Sequence, residues 1–98
     1  MNLPIVLRAE AETEFDEAFD WYEAQQAGLG PAFAPEVQRV FDRISTNPLV
    51  HRVVLAGIRK AVVRRFPYCV YYRPDADRVE IHAVFYTGRD PSVWQGRI

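Results

Sequence analysis

Six side chains in the second half of this chain, Lys60, Arg64, Arg65, His82, Tyr86 and Arg89, are of the types that can cleave RNA without a metal. Such cleavage needs a base for a 2′-hydroxyl, an acid for the leaving oxygen, and cations around the phosphate. Tyr86 and His82 suit the proton transfers, and Lys60, Arg64, Arg65 and Arg89 suit the charge. The pattern has low specificity, because any pair of basic strands offers such a set. His82 lies inside an apolar run, where a histidine is more often a hydrogen-bonded structural residue than a base; only its titration range recommends it.

Other site chemistries find little material. With a single cysteine, two isolated histidines (His51 and His82) and acids spread over a helix surface, neither a metal nor another cofactor is expected. There is no glycine-rich phosphate loop, and Ser45 and Ser92 lack the surroundings of a nucleophile. Cys69 is alone, which excludes an internal disulfide, and reads as a small apolar filler in a strand. The alternative to catalysis is a binding surface. In the C-terminal "TGRDPSVWQGRI", Arg89 offers a planar five-donor fork and Trp94 a large face with one N–H. The structural alternatives are that Arg89 pairs with Asp90 or a strand carbonyl, and that Trp94 closes the open end of a sheet.

The elements that must position these groups follow from hydrophobic periodicity. "LPIVL", Leu3 to Leu7, reads as a strand, with Pro4 marking an end or an edge. From Ala9 to about Ala27 the apolar residues Ala11, Phe15, Ala18, Phe19 and Tyr22 form one helical stripe, and acids fill the other side. Gly28 stops this helix and "GLGP" turns the chain. Pro31 opens a second helix whose stripe is Phe33, Val37, Val40, Phe41 and Ile44, and which ends before Pro48. Two amphipathic helices with so short a link form an antiparallel hairpin. The period then falls to two. Ile58 to Phe66, Tyr68 to Arg73 and Val79 to Tyr86 read as three strands of an antiparallel meander. The expected fold is α+β, one domain over residues 1–98, with the helical hairpin as the only cover for a mainly antiparallel sheet.

Composition is that of an ordinary globular chain, 49% apolar and 26% charged. No stretch is long and apolar enough to span a bilayer, and the start lacks the basic residues of a secretory signal, so a cytoplasmic location is expected. The net charge of −1 hides an asymmetry. Residues 1–48 carry nine acids and three bases; residues 49–98 carry nine bases and four acids. A basic half invites an acidic partner, although two solvated faces of opposite sign would look the same.

The order strand, acidic helix, "GLGPAFAPEV" helix and meander, with "RRFPYCVYY" and "VEIHAVFYTGRDPSVW", resembles the RelE/ParE superfamily of toxins from type II toxin–antitoxin pairs. The resemblance covers nearly the whole chain. It implies one of two activities. RelE-like members cut mRNA on the ribosome; ParE-like members bind and block DNA gyrase and are not nucleases. The helix-hairpin wording and the "RDPxxW" ending look ParE-like. Lys60 is the only lysine, the net charge is negative, and Tyr86 stands where a histidine is frequent before the "RDP" turn. The resemblance also implies a plasmid-stabilisation role and a ParD-like antitoxin with an acidic C-terminal segment. That segment suits the basic half and folds on binding. A domain with this fold but no toxicity is a third reading.

These readings set expectations for particular residues. Arg59, Arg64, Arg65 and Arg73 are the antitoxin-binding candidates, and Arg89 and Trp94 the target-binding ones. A nuclease would instead use Tyr86, His82, Arg65, Arg89 and Lys60. Phe66, Tyr68, Val70 and Tyr72 should pack beneath the hairpin, with tyrosine hydroxyls at the border. Arg64 and Arg65, adjacent in a strand, should point to opposite faces. The core should unite Phe15, Phe19, Tyr22, Val37, Phe41 and Ile44 with Val62, Val70, Tyr72, Ile81 and Phe85. In the last strand, Val79, Ile81, Ala83 and Phe85 should share one face.

Overall fold

The computed structural model describes residues 2–98 and has the expected α+β architecture. Strand β1 (Ile5–Leu7) leads into helix α1 (Ala9–Gln25) and helix α2 (Leu29–Thr46). Strands β2 (Val53–Leu55), β3 (Ile58–Val62), β4 (Tyr68–Pro74) and β5 (Val79–Tyr86) follow, and a short helix α3 (Ser92–Gln95) ends the chain. The sheet order is β1-β5-β4-β3-β2, antiparallel except for the parallel pair β1 and β5. Pro4 stands just outside β1, at the sheet border, where its missing N–H costs nothing.

The turn between the helices is tighter than its glycines suggest. Helix α2 begins at Leu29, ahead of Pro31, and Gly28 precedes it with φ +95°. Glu23 caps the new helix from α1: its Oε1 accepts the N–H groups of Gly28 at 2.9 Å and Gly30 at 3.0 Å. A carboxylate there satisfies orphan donors and meets the positive end of the helix. Gly30 also lets the helices approach, since a Cβ there would lie 2.9 Å from the Phe19 ring.

One face of the sheet carries the main core. Ala11 and Ala18 of α1, and Phe33, Val37, Val40, Phe41 and Ile44 of α2, pack on Ala61, Val63, Val70, Tyr72, Val79, Ile81 and Val84. Phe15, Tyr22, Phe66 and Tyr68 close its border, half-buried. The Tyr72 hydroxyl donates to the Pro48 carbonyl at 2.9 Å. Aromatic rings from α1, the β3–β4 turn and β4 thus meet around Phe33, whose ring centre is 5.2 Å from those of Tyr22, Phe66 and Tyr68.

Three expectations need correction. First, β5 does not alternate throughout. Tyr71 pairs with Ala83 but Tyr72 with Ile81, so His82 is an extra residue opposite the β4 ladder. A bulge of this kind shifts the phase of every later side chain. Val79 and Ile81 face the helices, whereas Ala83 and Phe85 turn to the other side. Second, that other side is not open. Ile58, Cys69, Tyr71, Ala83 and Phe85 form a second small core, closed by Trp94 of α3. Third, the run Ile58 to Phe66 is not one strand. It ends at Val62, and Arg65 takes φ +71°, so Arg64 and Arg65 occupy a turn and not opposite faces of a strand. Val62, expected in the core, is 68% exposed; Ala61 and Val63 take its place.

Strand β2 is an addition to the expected meander. It joins β3 through Ala56 and Gly57, which both have positive φ, +48° and +78°. This is the two-residue hairpin geometry that favours Asn-Gly or Gly-Gly. Alanine at φ > 0 is strained, so Ala56→Gly is expected to raise stability by about 0.5–1 kcal/mol, read as a melting temperature several degrees higher. An unchanged or lower melting temperature contradicts this reading of the turn.

Candidate functional site

The free border of β5 organises the candidate site. β1 covers β5 only from Val79 to Ile81, and beyond that point helix α1 and the C-terminal tail take over. Glu14 is the centre of the arrangement. Its Oε1 accepts the Val84 N–H at 3.2 Å and Arg97 Nη1 at 3.0 Å; its Oε2 accepts Arg97 Nη2 at 2.7 Å and Arg89 Nη1 at 2.8 Å. Arg97 also donates to the His82 carbonyl at 3.2 Å, and Arg8 Nη1 reaches the Arg97 carbonyl at 3.4 Å. A bidentate arginine–carboxylate pair is the strongest form of such contact. Here Glu14 and Arg97 finish a sheet border with side chains in place of a strand, and the hydrogen bond from Arg97 to Glu14 holds its guanidinium still more firmly protonated.

His82 is buried and locked. Its Nδ1 lies 3.2 Å from Arg8 Nη1, and its Nε2 lies 2.9 Å from Glu80 Oε1, a short contact outside good hydrogen-bond alignment. Burial, reinforced by the Arg8 and Arg73 cations against the pull of Glu80, lowers its pKa below the ordinary histidine value. The unfolded chain therefore binds a proton here at a higher pH than the folded one. Stability carried by neutral His82 is complete above about pH 6.5 and is lost as pH falls through the lower folded value. We expect His82→Gln to flatten that part of the stability profile, by at most about 1.4 kcal/mol per pH unit. Parallel profiles for parent and variant between pH 7 and 5 would contradict this assignment.

The other candidates are scattered. Tyr86 is 48% exposed and lines a cleft of about 290 Å³ with Glu14, Glu17, Tyr68 and Arg89. Lys60 lies across the second small core and shares a separate depression of about 180 Å³ with Tyr71, Thr87 and Arg89. Arg65 sits far along the β3–β4 turn, 3.4 Å from the buried Glu36, which also holds Arg39 at 3.3 Å. Arg89 alone borders both depressions, with its guanidinium 4.9 Å from the centre of the Phe85 ring. Its partner is Glu14, not the Asp90 or strand carbonyl considered from the sequence. Trp94 is 2% exposed and stacks on Tyr71 at 4.0 Å and 18°. Its face is spent inside the protein, so the expectation of a target-contacting Trp94 gives way to a structural role beneath the Arg89 turn.

The four antitoxin candidates do not form one patch. Arg59 donates to the carbonyls of His51 at 2.6 Å and Leu49 at 3.3 Å and so fastens the loop after α2. Arg73, 3.9 Å from Asp75, is on the neighbouring strand at the same end. Arg64 and Arg65 stand at the opposite end of β3. Arg64 has no hydrogen bond or ion pair among the described residues, and it borders a small hollow with Glu36, Arg39, Arg43, His51 and the exposed Val62. Among the described residues, no group of three or more His, Cys, Asp or Glu is placed to hold a metal ion, and no helix is long and apolar enough to cross a membrane.

The family described as "ParE toxin of type II toxin-antitoxin system, parDE" matches residues 5–91. The chain belongs to the ParE toxin family of type II toxin–antitoxin systems. A solved chain of the chromosomal ParDE TA system from P. aeruginosa shares the fold, with a TM-score of 0.75 at 14% identity, covering 86% of this chain and 95% of that one. No curated protein matches.

Proposed function

We propose that this toxin acts by binding and inhibiting DNA gyrase, and that a ParD-like antitoxin neutralises it through an acidic C-terminal segment. The observation that favours binding over RNA cleavage is the dispersal of the nuclease candidates. His82 is buried between Arg8 and Glu80, and Arg65 pairs with Glu36 away from Tyr86 and Arg89. Proton transfer to a substrate needs groups within hydrogen-bond reach of one point. A binding surface needs only exposed, rigidly held groups, and Arg89, seated on Phe85 and tied to Glu14, is one.

The antitoxin contacts are assigned to Arg59, Arg64, Arg65 and Arg73. Because they stand at two ends of β3, a compact partner would reach one pair only, and an extended segment running along the strands reaches both. Arg64, with no internal partner to lose, carries the largest share. Arg64→Ala is expected to weaken antitoxin binding by about 2 kcal/mol, close to thirtyfold in Kd. A titration in which alanine at each of the four positions leaves Kd unchanged contradicts the assignment. The cellular test is expression of the chain alone and with the neighbouring open reading frame. Filamentation with a DNA-damage response, relieved by co-expression, supports the proposal; an arrest of translation supports a ribosome-dependent nuclease instead.

A further inference from the structure

The border between α1 and the sheet holds a cleft that the toxin reading leaves unused. Trp21, Tyr22, Pro67, Tyr68 and Tyr86 line an opening of about 520 Å³. The rings are neighbours in series: Trp21 to Tyr22 at 5.2 Å, Tyr22 to Tyr68 at 6.0 Å, Tyr68 to Tyr86 at 5.8 Å. Each pair meets edge-on or tilted, and none is stacked face to face. Trp21, packed edge-on against Tyr22, is 58% exposed at the rim of the opening. Gly88 lets the Tyr86 ring lie close against the backbone of the following turn, since a Cβ there would lie 2.5 Å from that ring.

The five lining residues carry no charge, so the field in the opening comes from its surroundings: the acidic helix α1 and the adjoining wall of Glu14, Glu17 and Arg89. Helix α1 carries seven acids (Glu10, Glu12, Glu14, Asp16, Glu17, Asp20 and Glu23) and no base. Glu14 is neutralised by Arg89 and Arg97, but Glu17, on the wall of the adjoining cleft, has no partner among the described residues. Aromatic faces attract cations through their quadrupoles, and the attraction grows when an acidic surface raises the local cation concentration. The chain already uses this contact internally, with Arg89 above Phe85 and Arg65 6.0 Å from the centre of Phe66. A guanidinium is the better fit than an ammonium, being flat, weakly hydrated and able to stack while donating to a carboxylate.

We propose that this cleft is a docking site for an arginine side chain on a basic, extended segment of a second protein. Its chemistry is opposite to that of the acidic segment assigned to the β3 arginines, so the two sites take different partner segments. The inference does not depend on whether gyrase is the target.

The test is fluorescence anisotropy of a labelled, end-blocked peptide with three arginines spaced by Gly-Ser, titrated with the full chain. The controls are the same peptide with citrulline at all three positions and the variants Trp21→Ala and Tyr86→Ala. Both substitutions are at exposed positions, and thermal melts confirm folding. We expect saturable binding of the arginine peptide, at least tenfold weaker binding of the citrulline peptide, and at least a tenfold loss in Trp21→Ala and Tyr86→Ala, with Tyr86→Phe close to the parent. Absence of binding, equal binding of citrulline, or full affinity in Trp21→Ala would overturn the proposal; the last would mean that α1 attracts cations without the rings. Sedimentation showing that the chain alone dimerises, and that Trp21→Ala abolishes the dimer, would assign the cleft to a second copy and overturn it equally.

Discussion

Phe33→Ala is expected to lower the unfolding free energy by about 3–5 kcal/mol, a large part of the 5–15 kcal/mol typical of such a domain. Phe33 is fully buried and is the ring on which both helices and the β3–β4 turn converge, through Phe15, Tyr22, Phe66 and Tyr68. Its removal takes away apolar burial and leaves a cavity walled by aromatic rings, which cannot collapse easily because each is fixed by another. Phe41, on the same stripe but at the edge of the core, should cost less. Urea unfolding of both variants decides this. A Phe33→Ala loss below about 1 kcal/mol, or a larger loss for Phe41→Ala, would mean that the hairpin does not pack on the sheet through this ring.

Glu14→Gln is expected to cost a similar amount, about 3–5 kcal/mol, for a different reason. Glutamine preserves shape and can still accept the Val84 N–H. What it removes is the negative charge facing two guanidinium groups. Arg97 is only 12% exposed, so it is left as a buried cation without a counter-charge. Breaking one side of a buried pair costs far more than never having had it. Replacing Arg97 in the same chain should therefore recover part of the loss, which a double-mutant cycle measures directly. If Glu14→Gln unfolds with the parent's midpoint, the C-terminal tail is not fastened to α1 in solution.

The two helices, the meander and the border aromatics were legible because each rests on local periodicity. The failures have physical causes too. "VEIHAVFY" alternates apolar residues so completely that no single phase is marked, and the bulge at His82 depends on β4 pairing, which sequence spacing does not record. Arg64 and Arg65 continue a β-rich run, yet the chain turns there because Phe66 must reach Phe33. The β2–β3 hairpin did leave a signal, Ala56-Gly57 between two runs of Val, Leu and Ile, weaker than Asn-Gly but of the same kind. Glu14 left one as well. It lies between Ala11, Phe15 and Ala18 on the buried stripe, the place where a carboxylate needs a partner. Arg8 and Arg97, its companions in closing the β5 border, are far apart in sequence and carry no local mark. For Trp94 the sequence leaves a target contact and closure of the sheet's open end side by side, and its stacking on Tyr71 decides for closure, a contact between distant positions that carries no local mark.

The central claim is that this ParE-family toxin acts through a rigid surface around Arg89 and not through a proton-transferring site. A gyrase supercoiling assay with the parent, Arg89→Ala and Tyr86→Phe, run beside a ribosome-dependent RNA cleavage assay, tests it most directly. The account predicts inhibition of supercoiling by the parent and by Tyr86→Phe, a clear loss in folded Arg89→Ala, and no cleavage by any of them. Codon-specific cutting by the parent that falls 10²–10⁴-fold in Tyr86→Phe, the usual worth of a general acid or base, with supercoiling untouched, would contradict it.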